Sequence, residues 1–397
     1  MASVLPRRSA SGVVSWRVQF RHEGRHAQKT FKLERGAREF GALVDKVGAD
    51  AALQVLEARN NTTGDMPTLR EWTHRYLDPA SGLLTGIEEG TRAGYERAAR
   101  NSFLVMLGEY PVSAIDKAAV GRWITWQEQQ PSRRQKGKLI APKTVRNYHS
   151  ILSSVLACAV NEGLRPDNPA YRTKLTRGIQ HEGVYLSPDE VATILAFIHD
   201  RYEPLVLFLY GTGCRWGEAT AITWGDLNLR ANPPTVRISK AWKKGPTGAP
   251  ILKQPKSARG RRTISLPHDV VAALGTPGPA DQLVFRGELS GRHLWYGRFR
   301  TTTWNPAIEK AMDAELCERH GLQPLSRRPT PHDLRHSHAS GLIARGVPLT
   351  ELQRRLGHES IQTTSNTYGH LSPDSHIRMA DVATDMLNGV RHLRELV

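Results

Sequence analysis

Near the start of the chain, apolar and polar side chains alternate. In "VVSWRVQFR", Trp16, Val18 and Phe20 face one way and Arg17, Gln19 and Arg21 the other, the two-residue period of a strand. "HEG" supplies a turn and "RHAQKTFKL" a second strand. Over 38–58 the period lengthens, and Phe40, Leu43, Val44 and Val47 share one helical face. The pattern predicts a sheet-plus-helix module over 1–60 with a basic exposed face carrying Arg17 and Arg21.

The polar stretch "NNTTGDMPT" reads as a linker. Helical spacing then runs from Thr68 to Tyr171. In "TLREWTHRYL", Thr68 is placed to cap, and Leu69, Trp72, Tyr76 and Leu77 fall on one side. "TRAGYERAARNSFLVML", "DKAAVGRWITWQEQQ" and "APKTVRNYHSILSSVLACAVNEG" predict further helices. Between the last two lies the loop "PSRRQKGKLIAPK", whose Arg133, Arg134, Lys136, Lys138 and Lys143 suit either phosphate contacts or plain solvation.

The Pro-broken stretch 164–190 reads as a second linker, and in "SPDEVATILAFIHD" Ser187 and Glu190 form a capping box. The remainder is the largest domain, mostly helical, with a strand pair from "TVRISKAW" and "RRTISLP". The expected fold class is multidomain, mainly α with small β-sheets, with domains over 1–60, 66–171 and 183–397.

Charge narrows the function. The 397 residues carry a net charge of +17, a self-repulsion that points to a polyanionic partner, nucleic acid above all. Cys158, Cys214 and Cys317 are too few and too scattered for a disulfide framework or a Cys-rich zinc site. No apolar run suits a signal peptide or a membrane span, so a cytoplasmic protein acting on DNA is expected.

Four clusters in the last domain carry candidate chemistry. In "GTGCRWGEATAITWGDLNL" a Gly-rich turn leads into a helix opening with Arg215, and Glu218 lies one turn on. Arginine suits the helix dipole poorly there, whereas a bound anion would gain from both; a plain Arg215–Glu218 surface pair is the alternative. In "PHDLRHSHASGLIARG", Thr330 can cap, Pro331 fits the first turn and Gly346 ends the helix. His332 and Arg335, three apart, share a face. Metal binding by His332, His336 and His338 is the rival reading, and it lacks a ligand spacing such as HExxH.

The third cluster is "PLTELQRRLGHES", with Leu349, Leu352 and Leu356 as a buried stripe, Gly357 as a stop and His358 just beyond. Tyr368 follows in the polar "GHESIQTTSNTYGHL". Alone, His358 reads as a cap or surface residue and Tyr368 as structural. In the fourth, "LKQPKSARGRRTISLP", two strands joined by a turn would put Lys256 near a hairpin tip, with Lys243, Lys244 and Lys253 as rivals.

Together these residues suit attack on a DNA phosphodiester. Arg215 and Arg335 could hold charge building on the nonbridging oxygens, with His358 as a further donor. Tyr368 is the natural nucleophile, because a phosphotyrosyl ester keeps the bond energy for resealing. Lys256 could protonate the departing oxygen and His332 could take the tyrosine proton. These fixed cations stand where other nucleases place metal ions, so no metal or other cofactor is expected.

"TGCRWGE", the Lys256 segment, "HDLRHSHAS" and "LGHESIQTTSNTY", in that order, resemble the tyrosine recombinases, the family of phage integrases and Xer-type enzymes. The resemblance implies a catalytic set of Arg215, Lys256, His332, Arg335, His358 and Tyr368, with Glu218 in support and a 3′-phosphotyrosyl intermediate. It further implies that 66–171 is a helical core-binding domain and that 1–60 resembles the arm-binding domain of phage and mobile-element integrases. Expected partners are core-type and arm-type double-stranded DNA, a homotetramer on that DNA, a DNA-bending host factor and an excisionase. Met379, Val382, Met386, Val390 and Leu393 recur at helical spacing, and such a tail in this family docks on a neighbouring subunit. A topoisomerase IB-like relaxing enzyme and a DNA-binding regulator are the alternative functions.

Overall fold

The N-terminal alternation builds an antiparallel sheet of β1 (Ser3–Arg8), β2 (Val14–His22) and β3 (Arg25–Phe31), in that order. Pairing of His22 with Arg25 leaves Glu23 and Gly24 as a two-residue turn, both at positive φ (50° and 76°), the turn geometry that matches strand twist. Val18 and Phe20 are buried as the pattern requires. They pack against α1 (Glu34–Val47), where the Phe20 and Phe40 rings meet edge to face at 5.6 Å. The computed structural model describes residues 2–8, 14–60, 66–133, 135, 137–176, 178, 184–245, 248–255, 258–287, 293–362 and 365.

The single helix expected over 38–58 is two. Gly48, at φ +85°, donates its N–H to the Val44 carbonyl and ends α1, and α2 (Ala49–Asn60) starts afresh. The helices α3 (Leu69–Leu77), α4 (Glu89–Arg100), α5 (Phe103–Met106), α6 (Lys117–Glu128) and α7 (Pro142–Asn161) follow. Thr68 and Glu71 close a full capping box on α3. The run "TRAGYERAARNSFLVML" breaks at Ser102, whose backbone leaves the helical region so that Phe103 can enter the core. There it joins Trp72, Trp123 and Leu152; the Trp72 indole N–H donates to the Val155 carbonyl at 3.0 Å.

Two loop expectations shorten. Pro142 occupies the first turn of α7, a position where its missing N–H costs nothing, so Lys143 lies on the helix and not in the loop. The start of the second linker is packed, not free. Buried Arg165 donates to the carbonyls of Val112 (2.7 Å), Ile115 (2.7 Å) and Asp167 (2.6 Å), which otherwise lie unpaired at turns.

The chain divides into two units, Met1–Gln180 and His181–Val397. In the first, one hydrophobic core runs from Val18 through Phe40 and Trp72 to Ala170, so sheet and helices share an interior.

The second unit opens with α8 (Pro188–Phe197), capped by the Ser187–Glu190 box, then α9 (Glu203–Thr212) and α10 (Trp216–Ala219). The strands β4 (Leu227–Asn228), β5 (Thr235–Ile238), β6 (Ala241–Lys244), β7 (Pro250–Lys253) and β8 (Arg262–Ser265) follow. The anticipated strand pair is β5 with β8, Val236 opposite Ile264. The helices α11 (His268–Leu274), α12 (Tyr296–Phe299), α13 (Asn305–Ala311), α14 (Ala314–Arg319), α15 (Asp333–Ala344) and α16 (Leu349–Leu356) complete the unit. Phe208, Phe299 and Trp304 are the largest fully buried side chains in its interior. Among the described residues no helix is long and apolar enough to cross a membrane.

The hairpin expected around Lys256 differs. β7 pairs with β6, and β8 with β5, so the segment between β7 and β8 joins two sheets. Lys256 itself lies outside the described residues, as do Tyr368, Arg134, Lys136 and the tail from 366 onward.

Candidate active site

The end of α9 makes the first wall. Gly213 takes a left-handed turn (φ +64°), and a Cβ there would lie 2.6 Å from the His338 ring, so both conformation and space demand glycine. Arg215 is then the N-cap of α10, and Glu218 reaches back to it twice: Oε2 accepts from the Arg215 backbone N–H and Oε1 from Nη1, each at 3.0 Å. Because α10 spans only four residues, its dipole is small, and an anion here would be held mainly by the guanidinium. The Arg215 side chain is 44% exposed and that of Glu218 only 7%.

Glu218 also meets Arg262 of β8, Oε2 to Nη2 at 2.8 Å. Burial alone would raise the Glu218 pKa, but the hydrogen-bonded Arg262 and the charges of Arg262 and Arg215 outweigh it and bring it down to about 2. One buried carboxylate is therefore ionised and shared by two arginines.

The second wall comes from α15. Thr330 and Asp333 first close a turn: the Thr330 N–H and hydroxyl both donate to Asp333 Oδ2, at 2.6 and 2.8 Å. The helix thus starts at Asp333, three residues after the expected cap, and His332 stands at its threshold, exposed. Arg335, one turn in, is 3% exposed. Its Nη1 donates to the Gly213 carbonyl (2.6 Å), and Nη2 donates to the Leu356 carbonyl (2.9 Å) and to His358 Nε2 (2.8 Å).

His358 follows Gly357, which ends α16 at φ +66°. It is buried, unlike the cap or surface histidine read from sequence, because the left-handed turn folds it back onto Arg335. Burial first, then Arg335, Arg215 and Arg262, lower its pKa to about 4. Arginine cannot give up its proton, so Nε2 accepts and the ring proton of neutral His358 sits on Nδ1. His332, though its ring keeps an exposed edge, is also held low by the protein packed around the rest of it, then by His336 and Arg335. A neutral His332 can accept a proton near pH 7.

The three histidines of α15 do different things. His332 and His336 meet edge to face at 4.9 Å, while His338 turns inward and its Nε2 accepts from Arg355 Nε at 3.0 Å. Among the described residues no group of three or more His, Cys, Asp or Glu is gathered as a metal site. Cys214 is fully buried and its thiol is pushed up to about 11, which makes it a poor nucleophile.

Arg215 and Glu218, His332 and Arg335, and His358, three stretches well separated in sequence, thus gather at one basic site. The model of the phage integrase family matches residues 184–375. The ICEBs1 integrase of Bacillus subtilis is 27% identical over 254 residues, 62% of this chain and 67% of the relative. A resolvase of Escherichia coli is 30% identical over 195 residues, 45% of this chain and 71% of the relative. The chain belongs to the phage integrase family. It is a tyrosine-type site-specific DNA recombinase. The Tn1549 transposon integrase, solved with circular intermediate DNA, shares the fold at TM-score 0.62 and 20% identity, over 80% of this chain and all of that one.

The recombinase also contains two site-building residues that sequence reading passed over, Arg262 and Arg355, and a third, His338, that it weighed only as a metal ligand. Arg355 donates to His338, to the Gly211 carbonyl (3.0 Å) and to the Ser265 carbonyl (3.3 Å), so it ties α9, α15, α16 and β8 together. For Arg262 a signal existed. It shares the buried face of β8 and its continuation with Ile264 and Leu266 by strand alternation, and an arginine on such a face needs a carboxylate partner.

The DNA-contact candidates lie in the first unit. Arg133, Lys138 and Lys143 are exposed. Arg21 is exposed on β2, whereas Arg17 is half-buried and its Nε lies out of solvent, which leaves only part of its guanidinium available. An open groove of about 1070 Å³ on the helices is lined by Arg97, Arg100, Gln130, Arg133, Asn147 and Tyr148. Of these, Arg133 is among the candidates named from the sequence, whereas Arg97 and Arg100, on α4, are not.

Proposed function

We propose that this recombinase integrates, and excises, the genome of a phage or integrative element by exchanging strands through a Holliday junction. Tyr368 attacks the scissile phosphorus and its Oη forms the new phosphoester, while the bond to the 5′-oxygen of the next nucleotide breaks. The tyrosine proton passes to His332, and Lys256 gives a proton to the departing 5′-oxygen. Arg215, Arg335 and His358 Nδ1–H hold the nonbridging oxygens as charge builds. Attack by the 5′-hydroxyl of another strand reverses these steps and reseals the DNA without ATP. The observation that carries this reading is the Arg335 guanidinium, fixed by the Gly213 and Leu356 carbonyls and by His358 beside the Arg215–Glu218 pair.

In the same reading residues 1–60 bind arm-type sites, 66–171 grip the core site through the arginine-lined groove, and 183–397 carry the chemistry. Exchange of both strand pairs needs four copies on the DNA, and the tail after Tyr368 docks on a neighbour. Arm sites distant from the core call for bent DNA, hence a bending partner, with an excisionase setting direction.

The test is covalent-complex formation on a nicked DNA carrying the junction of element and chromosome, in EDTA, resolved on a denaturing gel. The wild type is expected to form the complex and Tyr368→Phe to form none. Tight binding by both proteins without any complex would replace this reading with that of a DNA-binding regulator.

A further inference from the structure

Arg262 lies in the Lys256 cluster but has no role there in the sequence reading, yet it is more deeply enclosed than Arg215. Its side chain is 6% exposed against 44%. Its guanidinium spans two elements. Nη2 and Nη1 donate to both oxygens of Glu218, at 2.8 and 3.3 Å, and Nε donates to the Arg355 carbonyl at 2.7 Å, near the end of α16. Gly357 makes room for it: a Cβ at that position would lie 2.8 Å from Arg262 Nη1. The glycine that turns the chain toward His358 is thus also the one that admits Arg262.

We infer that Arg262 is a positioning residue for phosphoryl transfer: it neutralises Glu218 so that the charge of Arg215 stays available to the scissile phosphate, and it ties β8 to the turn that presents His358. This rests on the functional reading above. The physical argument is a competition. Glu218 lies 3.0 Å from Arg215 Nη1 and is enclosed, so its attraction for Arg215 is strong unless another cation satisfies it. Arg262 is the cation that does so, through two hydrogen bonds in the planar geometry that suits a carboxylate. Without it, Glu218 would pull the exposed Arg215 side chain inward and leave the phosphate one positive group short. β8 directly follows the segment holding Lys256, so Arg262 also fixes the point from which that segment departs.

The experiment compares the rate of covalent-complex formation on the nicked junction DNA for wild type, Arg262→Met, Glu218→Gln and the double variant. Site affinity is measured for each by gel shift. Arg262→Met is expected to cut the rate about 100-fold, the scale of losing one preorganised charge contact, with affinity unchanged within about threefold. Adding Glu218→Gln to Arg262→Met is expected to restore at least about tenfold, because the competing charge is gone. A purely structural role would gain nothing from that second change. Arg262→Lys keeps one charge against Glu218; it is expected to stay within about tenfold of wild type, and there Glu218→Gln lowers the rate. A rate for Arg262→Met within about threefold of wild type, or no recovery in the double variant, overturns the inference. If Arg262→Met does not fold, the Arg262→Lys pair decides it, since a rise with Glu218→Gln there would contradict the charge argument. Absence of complex with the wild type would instead refute the functional reading, and this one with it.

Discussion

Acid should weaken the catalytic unit through His338. This ring is 9% exposed, accepts from Arg355 Nε and donates its other ring N–H to the Tyr210 carbonyl. Burial first, then the charge of Arg355, lower its pKa from 6.5 to about 3. The folded state therefore binds fewer protons than the unfolded chain between these values, and stability falls as pH drops from 6.5 toward 3. From pH 7 to about 5 the loss from this one histidine is about 2 kcal/mol, because each pH unit below the unfolded value contributes about 1.4 kcal/mol. Glu218 does not contribute in that window, since a carboxylate lowered to about 2 loses its stabilising effect only as pH falls below its ordinary 4.5. The assay is urea unfolding of the full chain, followed by tryptophan fluorescence from pH 7 to 5, for wild type and His338→Gln. Glutamine can still accept from Arg355 but does not titrate in this range. The wild-type curve should fall more steeply by about 2 kcal/mol over this range. Parallel curves would show that His338 titrates alike in both states and would refute the argument from burial beside Arg355.

Two more predictions follow from geometry. Gly357→Ala forces a side chain into a left-handed turn already contacted by Arg262; it should cost about 1–2 kcal/mol in urea unfolding, and slow covalent-complex formation as Arg262→Met does. Arg100→Ala removes one exposed cation from the groove in the first unit. The slope of log K against log salt for core-site binding should fall by about 0.9, and an unchanged slope would take Arg100 off the DNA.

What could be read in the sequence was local. The Thr68–Glu71 and Ser187–Glu190 capping boxes, the β2–β3 turn and the β5–β8 pair depend on residues a few positions apart or on simple alternation. The candidate site was assembled from residue type, arginine for anions and histidine for protons, and of its members Arg215 meets Glu218 and Arg335 meets His358. What failed was long-range. β1 carries Pro6 and exposed Arg7 and Arg8, so it has no apolar rhythm, and only pairing with β2 makes it a strand. Arg165 read as a linker residue because the carbonyls that claim it lie 50 and 53 positions away. His358 read as surface for the same reason: its burial depends on Arg335, 23 residues earlier.

The grip on Arg335 has an evolutionary consequence. Main-chain oxygens of Gly213 and Leu356 help to orient it, and Arg355, besides meeting His338, is held by the carbonyls of Gly211 and Ser265. A carbonyl is present whatever side chain its residue bears. Substitutions along the ends of α9 and α16 can therefore accumulate without changing which atoms steady the guanidinium, so long as the backbone path survives. Divergence is cheap around such an arginine and costly only at the few positions, such as Gly213 and Gly357, that set the path itself. An identity of 27%, as with the ICEBs1 integrase, leaves room for such divergence.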